Sequence, residues 1–126
     1  MTVYLDTQIV VWLCQNRIDR LAPAAVGAME NADLLISPMV LLELEYLYEI
    51  KRLLLPPLAL LNQLETQIAL KQCDHGFPAT IHTALFETWT RDPFDRVIVA
   101  QARSNGYAPL ISCDAKIREN YSKTIW

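Results

Sequence analysis

The feature that most constrains this chain is a repeated change of rhythm, in which short apolar runs stop at residues able to start a helix. Thr2 to Leu5 reads as a buried strand broken by Asp6, and Thr7 to Cys14 as the helix that follows. Leu34-Leu35-Ile36 is a second strand, ended by Ser37-Pro38. Serine there is a good N-cap and proline fits the first helical position, so a helix is predicted to about Arg52. Pro23 opens a helix through Met29 that stops near Asn31, and Pro56-Pro57 opens another, with Ile68 to Cys73 as a third strand. Pro78 leads a helix through Leu85, and Pro93 leads one that ends at Gly106. Pro109 to Ser112 is a fourth strand, Ala115 to about Tyr121 a short helix, and Thr124 to Trp126 a closing strand.

Strands alternating with helices, with no Asn-Gly hairpin between strands, imply βαβ units around a parallel sheet, so the fold class is α/β. No repeat or linker interrupts the pattern, and residues 1–126 are read as one domain. A chain of this length buries about two-thirds of the surface it exposes when extended, enough for an unaided core. A 52% hydrophobic content with three glycines excludes a disordered or collagen-like chain.

Cys14, Cys73 and Cys113 are far apart and lack C-x-x-C spacing, so each is expected to be a small buried hydrophobe. An acid at position 6 interrupts the first apolar run too early for a signal peptide, and charges and prolines break the longest leucine-rich stretch. The expected setting is the cytoplasm, with no membrane span. The net charge of −3 argues against binding nucleic acid through bulk positive charge. Divalent cations held by clustered acids would remove that objection.

Four acids carry the chemistry. Asp6 and Asp114 each follow a predicted strand and should project at one edge of a parallel sheet, where ligands bind. Capping of the next helix also accounts for either residue alone. In Asp92-Pro93-Phe94-Asp95, Asp92 is a natural N-cap and Asp95 the reciprocal acid of a capping box. Capping explains Asp95 less well, because it shares a helical face with Ile98, Val99 and Ala102.

Glu43 is the most informative. Its neighbours at helical spacing, Met39, Tyr46, Leu47 and Ile50, are apolar, so its carboxylate is expected to point inward. Such a charge needs a proton, a metal or a partner, and Arg96 and Arg103 are the candidate guanidinium partners. Together the four acids suggest one pocket of hard oxygen ligands, suited to Mg²⁺ or Mn²⁺ and to hydrolysis of a phosphodiester. Thr7 and Ser112 place hydroxyls near Asp6 and Asp114. Two other readings remain. An aspartyl nucleophile at Asp6 would require a lysine at a later strand end, which the sequence does not offer. A non-catalytic binding module would use the acids only to cap helices and pair with arginines.

Tyr4-Leu5-Asp6-Thr7, Leu42-Glu43-Leu44, Arg91-Asp92-Pro93-Phe94-Asp95-Arg96 with its following Val97 to Ala102, and Ile111-Ser112-Cys113-Asp114 resemble the successive acidic motifs of VapC-type PIN domains. The likeness runs from Tyr4 to Trp126. It implies a three-layer α/β/α sandwich on an about five-stranded parallel sheet, with cleavage of RNA dependent on one or two Mg²⁺ or Mn²⁺ ions. It also implies homodimers and control by a cognate antitoxin. By position it makes Asp6, Glu43, Asp95 and Asp114 the metal-binding acids and Asp92 an accompanying one. Gln8 and Thr90 stand where relatives often have histidine.

Arg91, Arg96, Lys116 and Arg118 are near these acids in sequence and are candidates to hold RNA phosphates. His75 and His82 are read as ordinary loop or surface residues. The stripe Leu58, Leu61, Leu64 and Ile68, with Leu53 to Leu55, is expected to be mostly core. Its remainder would be available to a homodimer contact or an amphipathic antitoxin segment.

Overall fold

Val3, Tyr4 and Leu5 are all buried, although successive side chains of a strand point to opposite faces, so the first strand is covered on both sides. The computed structural model describes the whole chain, Met1–Trp126. In order, its elements are β1 (Thr2–Leu5), α1 (Thr7–Cys14), α2 (Pro23–Met29), β2 (Asp33–Ile36), α3 (Pro38–Glu49) and α4 (Pro57–Ile68). Then come β3 (Lys71–Gln72), α5 (Phe77–Ala84), α6 (Pro93–Ser104), β4 (Leu110–Ile111), α7 (Ala115–Asn120) and β5 (Thr124–Ile125). No helix is long and apolar enough to cross a membrane.

The five strands lie in the order β3-β2-β1-β4-β5, and every pair is parallel. β1 is central, with Tyr4 opposite Leu35 on one side and Leu110 on the other. The chain steps outward from β1 through β2 to β3, then returns to fill the other side with β4 and β5. Right-handed crossovers therefore put α1 to α4 on one face and α5 to α7 on the other, the expected three layers. Packing agrees, since α1, α3 and α4 contact one another and α5 lies along α6. The change of direction falls between β1 and β4, whose carboxyl ends form the crevice where open α/β sheets bind ligands.

A buried polar chain fixes α3 against α6. Ser37 caps α3 by accepting the Met39 amide at 3.1 Å, while its hydroxyl donates to Gln101 Oε1 at 2.8 Å. Gln101 is fully buried in the last turns of α6, so this bond fixes the start of α3 against that part of α6. Tyr4 Oη extends the polar interior, accepting from Asn105 Nδ2 at 2.7 Å and lying 2.9 Å from Cys73 Sγ.

Several boundaries differ from expectation. The strand predicted over Ile68 to Cys73 is only Lys71–Gln72, because α4 continues through Ile68 and closes with Ala69 in a left-handed conformation (φ 56°). α3 stops at Glu49 rather than Arg52, since Lys51 also turns left-handed (φ 64°). A 3₁₀ turn at Ile18–Arg20 gave no recognisable signal. In α4 the buried face is Pro57, Leu60 and Leu64, so Leu58 is exposed, and Leu54 before it is 96% exposed. Only Cys73 is fully buried; Cys14 and Cys113 are partly exposed.

Ile111 is fully buried between β1 and β5. Ile111→Ala is expected to lower unfolding free energy by about 2–5 kcal/mol, read as a lower urea midpoint with an unchanged slope.

Candidate active site

Asp6 follows β1 directly and is only 7% exposed. One carboxylate oxygen accepts the Thr7 amide at 2.8 Å, which caps α1, and the other accepts Ser112 Oγ–H at 2.7 Å. The second bond ties the end of β1 to the end of β4. Ser112 Oγ also accepts the Asp114 amide at 3.1 Å, and Asp114 in turn caps α7 through the Ile117 amide at 3.0 Å. Asp6 and Asp114 thus share one serine and cap neighbouring helices.

Asp92 caps α6, accepting the amides of Phe94 at 2.8 Å and Asp95 at 3.4 Å. The reciprocal half of a capping box is absent, because the Asp92 amide donates to Thr90 Oγ1 at 3.1 Å instead. Buried Thr90 therefore takes the role expected of Asp95, whose carboxylate is left without a capping bond.

Glu43 reaches the same region from α3, with Met39 and Leu47 packed against the core as its sequence neighbours suggested but Tyr46 and Ile50 not. Tyr46 and Ile50 are exposed, and the buried residues of α3 are Val40 and Leu44. Glu43 consequently stands at the border of the core rather than on an inward face. Neither proposed guanidinium meets it. Arg103 pairs with Glu87, and Arg96 Nε donates to the Glu87 carbonyl at 2.9 Å. The molecule's two ion pairs, Arg17 with Asp19 and Arg103 with Glu87, involve none of the five acids.

Asp6, Glu43, Asp92, Asp95 and Asp114 line one cleft of about 330 Å³, with Thr7, Gln8, Leu47 and Cys113. No lysine or arginine lines it. Burial pushes Asp6 above the usual carboxylate range, and the charges of Asp114 and Asp92 add to this, while Ser112 and the Thr7 amide oppose it. Glu43 is likewise raised by burial, with Asp6 and Asp92 contributing. Asp95 is pushed up to about 7 by burial first, then by Asp92, Asp6, Asp114 and Glu43. These mutual effects are the electrostatic signature of acids facing one space.

The donor set suits a hard divalent cation, being carboxylates with no histidine. The Thr7 hydroxyl is buried in the cleft without a partner of hydrogen-bond geometry, although it lies near enough to Glu43 to hold that carboxyl's pKa down somewhat. No three His, Cys, Asp or Glu side chains are grouped tightly enough to form a ready ion-binding set. The acids surround the space rather than close on one point within it.

Of the other residues singled out in the sequence, Ser112 lies behind the cleft, fully buried. Arg91, Arg96, Lys116 and Arg118 lie outside its lining; Arg118 alone is near enough to act electrostatically on Cys113. Gln8 and Cys113 gain a place the sequence reading did not assign them. Each adjoins a cleft residue in the chain, next to Thr7 and Asp114 respectively, and that adjacency was the available signal.

A parallel, doubly covered sheet with an acidic crevice at its switch point defines the class of protein. The model of the PIN domain matches residues 3–123, and the chain belongs to that family. Similar solved structures include VapBC2 from Rickettsia felis bound to a DNA fragment from its promoter, at 19% identity and a TM-score of 0.67, covering 95% of this chain and 93% of that one. DNA-bound VapBC from Salmonella typhimurium is similar at 23% identity and a TM-score of 0.58, covering 94% and 89%. VapBC-1 from nontypeable Haemophilus influenzae is similar at 17% identity and 0.60, covering 98% and 95%. At these identities the likeness is one of fold. No curated protein is similar enough in sequence to count as a relative.

The crowding of Asp95 has a measurable sign. Its folded pKa of about 7 exceeds the ordinary value of ~3.9, so between these pH values the native protein holds more protons than the unfolded chain. The carboxyl favours folding at low pH and loses that contribution as pH rises through about 7. In EDTA at pH 8, Asp95→Asn is expected to melt a few °C above wild type, with the gap closing towards pH 4. A gap independent of pH would show that Asp95 is not crowded.

Proposed function

We propose that this PIN-domain protein is a metal-dependent endoribonuclease, the toxin of a VapBC-type pair, acting in the cytoplasm on RNA. The observation that supports it is the single cleft lined by five carboxylates and no cation, at the switch point of the sheet. Asp6, Glu43, Asp95 and Asp114 would hold one or two Mg²⁺ or Mn²⁺ ions, with Asp92, Thr7 and Ser112 supporting them. A bound divalent ion supplies counter-charge for the phosphodiester and makes water acidic enough to serve as nucleophile near neutral pH.

The chain's own residues prepare that chemistry. Ser112 and the Thr7 amide hold both oxygens of Asp6, so this carboxylate keeps one orientation whether or not a ligand is present. Asp95 and Glu43 carry no such bonds and are free to turn towards a ligand. Asp95, with a pKa of about 7, also exchanges a proton readily at neutral pH when no cation is bound. Thr7 offers its unpartnered hydroxyl as a further donor or acceptor inside the cleft.

Arg91, Arg96, Lys116 and Arg118 are the phosphate-holding candidates beyond the cleft. Exposed Leu42, Tyr46, Leu54, Leu55 and Leu58 leave apolar surface on α3, α4 and the segment between them. That surface suits a second copy of the chain or a cognate antitoxin segment. The similar VapBC structures, two of them bound to DNA, favour the antitoxin partner.

Purified protein is expected to cleave single-stranded RNA with Mn²⁺ or Mg²⁺ and to stop with EDTA. Asp6→Asn and Asp95→Asn should each reduce the rate by more than the ~10–100-fold typical of an outer-shell partner. Calorimetric titration with Mn²⁺ supplies an independent readout. Absence of Mn²⁺ binding, or full activity in either variant, would refute the nuclease reading in favour of a non-catalytic binding module.

A further inference from the structure

The largest cavity in the molecule is not the acid cleft but a space of about 640 Å³ beside α6 and α7. Its floor is a polar network. Glu87, only 3% exposed, accepts Trp89 Nε1–H at 2.6 Å and is paired with Arg103. Arg103 also donates to the Asn120 carbonyl at 3.3 Å and lies over the Tyr121 ring, 5.0 Å from its centre. At the mouth Phe86 is 83% exposed, a large ring left in water beside polar groups.

We propose that this cavity is a nucleobase subsite, in which an unpaired base stacks on Phe86 while the backbone of the same RNA strand occupies the acid cleft. The inference rests on the nuclease reading and names a part of its substrate contact. Chemistry selects a base over the alternatives. Glu87 cancels the charge of Arg103, so the floor offers no net charge to a phosphate. An aliphatic side chain would cover Phe86 but leave the polar edges of Asn120, His82 and Arg103 unanswered. A heterocycle satisfies both, with a face for the ring and donors and acceptors at its edge.

Placement supports the same strand reaching both sites. α6 carries Asp95 at the cleft and Arg103 at the cavity, about 12 Å apart along the helix at ~1.5 Å per residue. α7 runs from its cap Asp114 to Asn120, about 9 Å by the same rise. A strand covers that distance within about four nucleotides at the ~3.4 Å spacing of stacked bases. Arg96 and Lys116 occupy the intervening turns of these helices. Arg96 spends one N–H on the Glu87 carbonyl and retains others for a phosphate, and Lys116 is exposed.

The test uses full-length protein in an Asp95→Asn background, to prevent turnover, with Mg²⁺ and fluorescent single-stranded RNA. Phe86→Ala is expected to weaken binding of a hexanucleotide about 5- to 150-fold, the contribution of one stacked base, and to leave a dinucleotide unaffected. Phe86→Trp should restore the hexanucleotide affinity. A 2-aminopurine walked along the hexamer should be quenched at one position with Phe86 and at none with alanine. Equal hexanucleotide affinity with alanine, or an equal loss for the dinucleotide, overturns the subsite and leaves the nuclease reading standing. If neither RNA, in a non-cleavable 2′-O-methyl form, binds the protein with Asp95 intact, both fall.

Discussion

The hydrogen bond from Ser112 to Asp6 holds the centre of this molecule together. It joins the carboxyl ends of β1 and β4, the two strands between which the sheet changes direction. Asp6 is buried there, which is costly for a carboxylate unless its oxygens are satisfied. One is satisfied by the Thr7 amide and the other by Ser112, so the acid is held in place and α1 is capped at the same time. Because Ser112 also receives the Asp114 amide, the start of α7 is positioned by the same side chain.

A second constraint brings the remaining acids in. Ser37 and Gln101 lock the start of α3 to α6, and those helices carry Glu43 and Asp95. Thr90 occupies the Asp92 amide, which removes Asp95 from capping duty. The result is a group of like charges that raise one another's pKa with no basic residue among them. Such an arrangement opposes folding near neutral pH, and a protein tolerates it where a ligand compensates the charge. The fold carries a destabilised site on rigid supports, since β1, β4 and α6 are among the most buried elements.

The two largest polar features behave oppositely. In the acid cleft, the hydrogen bonds go to Asp6, Asp92 and Asp114, and no cation answers the five carboxylates. Beside α6 and α7, Glu87 is answered by both Trp89 and Arg103. The arginines that sequence reasoning offered to Glu43 are engaged by Glu87, both through its side chain and through its carbonyl. Held by Glu87, neither Arg96 nor Arg103 neutralises the acid cleft.

Much of this was legible in the sequence, because the signals are local. Helix starts at Ser37-Pro38, Asp92-Pro93 and Asp114 depend on a cap and its own next turn, and all three form as read. Alternation of apolar runs with such starts was enough to specify a parallel α/β sheet, while the ends of α3 and α4 depended on left-handed residues at Lys51 and Ala69 that no local pattern announced. Of the four neighbours for which Glu43 was selected, Tyr46 and Ile50 prove to be exposed while Met39 and Leu47 pack against the core, and the residue does reach the cleft. Only the tertiary structure decided that five acids face one space and that the arginines turn elsewhere. Those outcomes are set by contacts between residues as far as 106 positions apart, and such contacts exist only once the sheet has assembled and fixed which strand ends are neighbours.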